Sequence, residues 1–444
     1  MSGDPSKRIS GNAQRSGSFL WGASWEHRKR LLRIEAWVLV VGAYVLVIFA
    51  YAWPADFRNQ AATHVAVAWL AALVRTFMFH GGLLLAVVAI TAAFARRWRL
   101  FAATMPLLLV TLGPSLLSYW SWTGDEIRGK TLTVMSVNLL MVNRDTAPIV
   151  EEIEAIRPDI LLLQEYTVHW HQALQAKMGA DYRHICHVTS EDSFGAAIYS
   201  RQAFVDEPEC YISLGQASVP QMRAVIEIDG RKAAVYNIHL LPPWGMAYTI
   251  ENRSQFADLL DVLAAEPLPI VMGGDFNFTE NSLNAAALRH QGLVDAHSVG
   301  GWGRGGTWPV NSFFRWLPSV RLDHVYLGGG LTCSECRTGA GRGSDHRPVI
   351  ARIGFGRQRD RGTKARGSGA GRASSDRRRH GRLRENARTG RGGSRSDADR
   401  AADALGRTLM LTPVRVGPMA AGQTSGRTPD SFLLQPCATW ARSG

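Results

Sequence analysis

Ile160-Leu161-Leu162-Leu163-Gln164-Glu165 is a run of four apolar residues followed at once by an amide and a carboxylate. A run without polar alternation is the pattern of a strand buried on both faces, as in a sheet covered on each side. Upstream, residues 147–156 have helical spacing and stop at Pro158, which cannot continue a helix. Further strands are predicted at 131–137, 195–199, 224–228, 233–239, 270–272, 325–327 and 348–353, and a second helix at 253–265 that Pro267 and Pro269 close. Periodicity alone therefore gives an α/β domain.

Three other phrases repeat the arrangement of apolar run and polar exit: Gly273-Gly274-Asp275-Phe276-Asn277, Arg321-Leu322-Asp323-His324 and Gly343-Ser344-Asp345-His346-Arg347-Pro348. A sheet delivers polar groups to its rim in this way. Four such deliveries rich in Asp, Asn, Glu and His make an oxygen-rich pocket suited to a hard divalent cation and a phosphate. In this order the phrases resemble the endonuclease/exonuclease/phosphatase superfamily of metal-dependent phosphoesterases, over roughly residues 130 to 355. The resemblance implies a four-layer α-β-β-α sandwich of two mixed sheets. It also implies Asn138 and Glu165 as the metal-side pair, for Mg²⁺ or alternatively Mn²⁺. Asp275 would position or activate water with Asn277 beside it. His239 would bind phosphate or protonate the leaving group, and Asp323 would support the metal region or a histidine.

Each residue also has a plainer reading. Glu165 could solvate a strand end, Gly273–Asn277 could form an Asx turn, and His324 could be a satisfied strand-end histidine. The two glycines are read as allowing close backbone approach to a phosphate. His346 is read as a proton-managing group with Asp345 helping orient the site. Because adjacent residues on an ideal strand point apart, that requires a bend at Gly343. Asn237 and Arg253 are secondary candidates, the latter as a phosphate clamp or an ordinary helix residue. His169, His171, His184, His187, His290 and His297 match no motif and are read as structural. Every motif residue is a ligand or an acid/base, so no covalent intermediate is expected.

The net charge of +13 is unevenly placed. Residues 1–123 hold 12 Lys+Arg against 4 Asp+Glu, residues 124–356 hold 19 against 26, and residues 357–444 hold 19 against 7. The predicted catalytic unit is thus acidic, unlike a tight general polyanion binder. Residues 1–34 form a basic leader, 35–123 a transmembrane region and 124–356 the catalytic unit. Residues 357–444 form an Arg/Gly-rich tail too poor in apolar residues to order itself.

Uncharged stretches at 36–53, 76–95 and 100–123 each approach the ~20 apolar residues that cross a bilayer, so about three spans are expected. Basic residues before the first span, and Arg96, Arg97 and Arg99 between the second and third, belong on the cytoplasmic side. The catalytic unit is then extracytoplasmic. Residues 59–74 are read as an interfacial helix or an extension of the second span; a fourth span there would reverse the orientation.

The five cysteines fit small buried hydrophobes or one or two disulfides in an exported domain better than zinc. Trp302, Trp308, Phe313, Phe314 and Trp316 either cap the sandwich or meet bases or lipid. The expected partners are a phosphate-ester substrate (nucleic acid or phospholipid), the membrane, and polyanions through the basic tail. A catalytically silent surface-displayed module on the same fold is the competing reading, with eroded site residues as its signature.

Overall fold

A computed structural model describes residues 16–120, 124–310 and 316–356. The predicted tail, the first fifteen residues, and Phe313 and Phe314 lie outside the described residues. The chain begins with helices α1 (Ser16–Ala52), α2 (Ala62–Thr76), α3 (Met78–Phe94), α4 (Trp98–Thr111) and α5 (Gly113–Leu117). The sandwich follows as β1 (Leu132–Asn138), α6 (Ala147–Ile156), β2 (Ile160–Gln164), α7 (Val168–Met178), β3 (His184–Val188), β4 (Ala196–Ser200) and β5 (Glu209–Ile212). It continues with β6 (Gln221–Ile228), β7 (Arg231–His239), α8 (Gly245–Ala265), β8 (Ile270–Asp275), α9 (Leu283–His290), β9 (Val294–Asp295) and α10 (Ala296–Gly300). Strands β10 (Asp323–Leu327), β11 (Leu331–Thr338) and β12 (Val349–Phe355) complete it.

The strands form two six-stranded mixed sheets, ordered β11-β12-β1-β2-β4-β3 and β5-β6-β7-β8-β10-β9. β2 shows why its run had no alternation. Ile160 and Leu162 enter the core between the sheets with Val134, Ile226, Val271 and Val325. Leu161 and Leu163 face the opposite way, against Ile149 and Ile153 of α6 and Trp170 and Leu174 of α7. The outer face of the second sheet is covered by Phe256, Leu259 and Leu263 of α8 and Leu288 of α9. Helix, sheet, sheet and helix layers result, as the resemblance implied.

Two parallel pairings bring polar strand ends to one edge. β1 runs parallel to β2, with Asn138 opposite Gln164, and β7 runs parallel to β8, with His239 opposite Asp275. β10 is antiparallel to β8 and starts where β8 ends, so Asp323 stands opposite Asp275. The glycines before Asp275 serve this packing. A Cβ on Gly274, at φ +150°, would sit 1.7 Å from the Ile238 carbonyl, and one on Gly273 would sit 2.6 Å from Leu162 Cδ1. This corrects the phosphate-approach reading: the neighbouring strand and the facing sheet take that space.

Asn237, a secondary candidate from sequence, is also structural. Its Nδ2 donates to the Leu163 and Ala197 carbonyls at 2.8 and 3.0 Å, and its Oδ1 accepts from Gln164 Nε2 at 2.6 Å. It pins one sheet to the other behind the site.

In the helical region, His27–Ala52 is long and apolar enough to cross a membrane, with mean hydropathy 2.1. α2 and α3 reach that length only together, and they bend by 59°. The expected third span is divided into the 14-residue α4 and the short α5, around Gly113-Pro114. α2 docks on the sandwich: Trp69 Nε1 donates to the Pro243 carbonyl at 3.0 Å and Arg75 Nη1 to the Asn281 carbonyl at 2.9 Å. Phe57, in the preceding loop, meets Phe256 of α8 edge-on with centroids 4.7 Å apart.

Arg253 belongs to the same seam. Its guanidinium donates to the Asp56 and Asn59 carbonyls, so it is neither a phosphate clamp nor a solvated helix residue. Arg253→Ala leaves the Asp56 and Asn59 carbonyls without this donor, at a cost of about 0.5–1.5 kcal/mol. A thermal melt of the detergent-solubilised protein should show the lower midpoint, with kcat unchanged.

Candidate active site

Asn138 ends β1 and ties the edge together. Its Nδ2 donates to Glu165 Oε1 at 3.0 Å and to Asp275 Oδ2 at 3.2 Å, while its Oδ1 accepts from the Leu140 amide. Glu165 leaves β2 with φ +55°, in the left-handed region, which turns its carboxylate out of the strand path. Its Oε2 accepts from the Met141 amide at 2.8 Å. Asp275 Oδ2 lies 3.8 Å from His239 Nε2 and 3.7 Å from His346 Nε2. Its Oδ1 accepts from the Asn277 amide at 3.0 Å. Asn277, at φ +53°, donates from Nδ2 to the Leu240 carbonyl at 2.8 Å.

His346 finds its partner across the sheet. Its Nδ1 stands 2.8 Å from Asp323 Oδ2, whereas the Asp345 carboxylate accepts from Trp308 Nε1 at 3.1 Å. The expected bend at Gly343 is present, with φ +84°. Ser344 fixes the turn: its hydroxyl donates to the Asn138 carbonyl at 2.8 Å and accepts from the His346 amide at 3.0 Å.

Two further residues escaped the sequence reading. Gln221 brackets the His239 backbone, accepting its N–H and donating to its C=O. Thr307 Oγ1 accepts the Leu322 and Asp323 amides. Neither stands in a polar motif. Ser344, by contrast, was visible in Gly343-Ser344-Asp345-His346. His324 takes the satisfied strand-end role, between the Phe278 carbonyl at 3.0 Å and Asp295 at 3.3 Å.

The electrostatics separate these groups. Burial raises the Glu165 pKa; the Met141 amide and Asn138 oppose that shift, and Asp345 adds to it. Burial also raises Asp275, with His346 opposing and Asp323 reinforcing. Burial works against charge on His346, but Asp323 and Asp275 outweigh it and set its pKa well above the usual histidine range. Burial lowers His239. The two imidazoles are therefore pushed in opposite directions, the kind of separation that acid and base roles require.

Asp275, Asp323 and His346 bring potential ligand atoms within 4.8 Å of one another, and Asp323 Oδ1 is buried without a partner. With Glu165 and Asp345 near, the edge carries more buried carboxylates than its one cationic imidazole balances. That oxygen-rich donor set suits a hard divalent cation.

Residues 135–346 match the model of the Endonuclease/Exonuclease/phosphatase family, and the two mixed sheets with flanking helices are consistent with the sandwich of that family. The chain is 28% identical over 126 residues to a UPF0294 protein of Vibrio vulnificus strain YJ016, a match covering 28% of this chain and 39% of that protein. It thus spans well under half the length of the curated relatives it matches. Among solved structures it is similar to an endonuclease/exonuclease/phosphatase from Beutenbergia cavernae, at 17% identity and TM-score 0.41 over 51% of this chain and 72% of that one. It is also similar to D. rerio TDP2 complexed with single-strand DNA product, at 17% and 0.40 over 51% and 100%. The human Nocturnin catalytic domain gives 16% and 0.40 over 52% and 97%.

Proposed function

We propose that this protein is a membrane-anchored, Mg²⁺-dependent phosphoesterase that hydrolyses a phosphodiester or phosphomonoester of a nucleic acid or lipid headgroup by in-line attack of water. One observation carries the reading. Glu165 and Asp275, from separate strand ends, converge on Asn138 Nδ2 at 3.0 and 3.2 Å, and His346 Nε2 stands 3.7 Å from Asp275.

A divalent cation bound here supplies charge neutralisation at the phosphate and the leaving oxygen. Glu165 is the carboxylate that holds it. Asn138, at that metal-side end, keeps Glu165 and Asp275 apart and aimed. His346 is read as a proton donor more than as a ligand, because Asp323 at its Nδ1 favours the charged imidazole. It presents its Nε2 proton to the charge that develops on phosphorus-bound oxygen. Asp275 accepts the proton of the attacking water, with Asn277 fixing its carboxylate through the backbone amide. His239, pushed toward its neutral form by burial, binds phosphate or passes a proton to the leaving group. Asp345 adds negative charge near the cation.

The membrane reading rests on α1 and on where the helices meet the sandwich. The C-terminal part of α1 and the first turn of α3 lie at the sandwich side, through Arg75 to the Ala50 carbonyl and His80 to the Pro318 carbonyl. The basic residues at 28–33 lie where the apolar part of α1 begins, and those at 96–99 follow the far end of α3. α2 rests on α8, which supports counting no extra span there and reading the sandwich as extracytoplasmic. The Cys186–Cys210 disulfide, joining edge strands β3 and β5 of the two sheets, suits an oxidising compartment.

The test is a screen of the full-length protein in detergent, since cutting at residue 124 would bare the surface under Phe57. Plasmid DNA, RNA, sphingomyelin, phosphatidylinositols and a generic bis-ester are each assayed with Mg²⁺ and with EDTA. Mg²⁺-dependent release of product from at least one is expected. Binding without turnover of any would leave the silent-module reading in its place.

A further inference from the structure

Away from the catalytic edge, a hollow of about 430 Å³ opens at the seam between the membrane helices and the sandwich. Its size lies within the range of small-ligand sites. Arg304, Arg337 and Arg347 line it, together with His297, Tyr119 and Trp302, and among the described residues no Asp or Glu does. An adjoining hollow shares Arg304 and His297 with it and also holds Glu280, which attracts Arg304, whereas Arg337 and Arg347 line the first and not the second.

The arginines are only partly satisfied. Arg304 has its guanidinium carbon 3.7 Å above the Phe79 ring of α3, and its Nε is buried with no hydrogen-bond partner. Arg347 Nη1 donates to the Gly306 carbonyl at 3.1 Å. The half-exposed Arg337 reaches Glu335 only at 3.7 Å. Backbone conformation opens the wall: Gly303 and Gly305 have φ of +74° and +60°. A Cβ on Gly305 would strike His297 Nε2 at 2.3 Å.

The surroundings identify the side from which a ligand arrives. Tyr119 follows α5 and meets Trp302 edge-on at 5.0 Å. Leu116, Leu117, Trp120 and Trp302 beside it are all more than half exposed. Aromatic and aliphatic residues at the ends of spanning helices mark the membrane–water interface. Guanidinium groups above that level meet phosphate with the forked geometry that carboxylate or phosphate oxygens favour.

We propose that this hollow is a second, non-catalytic phosphate site that seats the headgroup of a phospholipid, its chains running down past Trp302 and Trp120. The inference rests on the membrane reading of α1–α5, and it assigns a role to Trp302, which catalysis leaves unused. The shared chemistry is a phosphate anion, which a free phosphate could also supply.

The experiment uses the full-length protein in mild detergent with EDTA present, so that turnover does not enter. Calorimetric titrations compare dihexanoyl phosphatidic acid, dihexanoylglycerol and inorganic phosphate. The phosphatidic acid should bind at least tenfold more tightly than either comparator, and Arg304→Gln and Arg337→Glu should each weaken it by tenfold or more. Arg337 is exposed enough that its variant tests the site even if Arg304→Gln fails to fold. Undiminished binding by folded Arg337→Glu overturns the proposal. Equal affinity for dihexanoylglycerol overturns the phosphate site, and equal affinity for inorganic phosphate overturns the lipid as its ligand. A carbonate wash of membranes separates the two readings. Protein that stays embedded yet shows no lipid preference sinks this inference alone, whereas protein that washes off removes the membrane reading and this one with it.

Discussion

Asp323→Asn should lower kcat by about 10²- to 10⁴-fold, the range for a positioned acid–base group, although Asp323 touches neither water nor phosphate in the proposed reaction. Its effect passes through His346, whose Nδ1 it meets at 2.8 Å. Asparagine keeps the shape and loses the charge. Asp323 is the main attraction that offsets the burial of the imidazole, with Asp275 next. Without it the His346 pKa falls back toward or below the ordinary value. A raised folded pKa means the charged form is present below that pKa and lost above it. The alkaline limb of the kcat/KM profile should therefore move to lower pH in the variant. A structural role for Asp323 would instead lower the melting temperature and leave the shape of the profile alone. His346→Ala should cost as much as Asp323→Asn, and the double variant little more, because the two act as one unit. If the two losses multiply, the coupling is wrong.

That coupling marks the limit of what the sequence displays. The strand Ile160–Gln164 was legible because burial on both faces needs an uninterrupted apolar run, and both core layers claim it. The rim positions of Glu165 and Asp275 were legible for the same reason. The partner of His346 was not, because adjacency in sequence drew attention to Asp345. The actual pairing depends on β8–β10 register, which sets Asp323 opposite Asp275. Gly274 reads as a glycine needed for something, but only the neighbouring Ile238 carbonyl shows for what. α8 starts at Gly245, eight residues before its predicted beginning, because Thr249 and Asn252 are buried polar residues in its first turns. Asn252 is held by the Leu241 carbonyl. Hydrophobic periodicity cannot see helix that is buried through polar contacts. β3 and β5 went unmarked too, being short edge strands with weak apolar signal.

Glu165→Gln should abolish turnover at ordinary Mg²⁺ concentrations, with a loss of about 10³-fold or more, comparable to losing a charge-stabilising group at a developing oxyanion. Burial and Asp345 both raise the Glu165 pKa, yet the Met141 amide and Asn138 hold hydrogen bonds that favour its charged form. Such a carboxylate is built to be ionised beside a cation; alone it carries an unfavourable buried charge. Glutamine removes the charge while retaining an oxygen for Met141. Binding of the cation should weaken sharply and folding should not. Because the variant has one buried negative charge fewer facing Asp345, its apo form should even melt slightly higher than apo wild type. The decisive comparison is Mg²⁺-induced thermal stabilisation. Wild type should gain in melting temperature as Mg²⁺ rises, by mass action on the folded state, and Glu165→Gln should gain far less. A variant that loses activity but keeps the full Mg²⁺-dependent shift would place the cation elsewhere on the edge, on Asp275 and Asp323, and would return His346 to the list of its ligands.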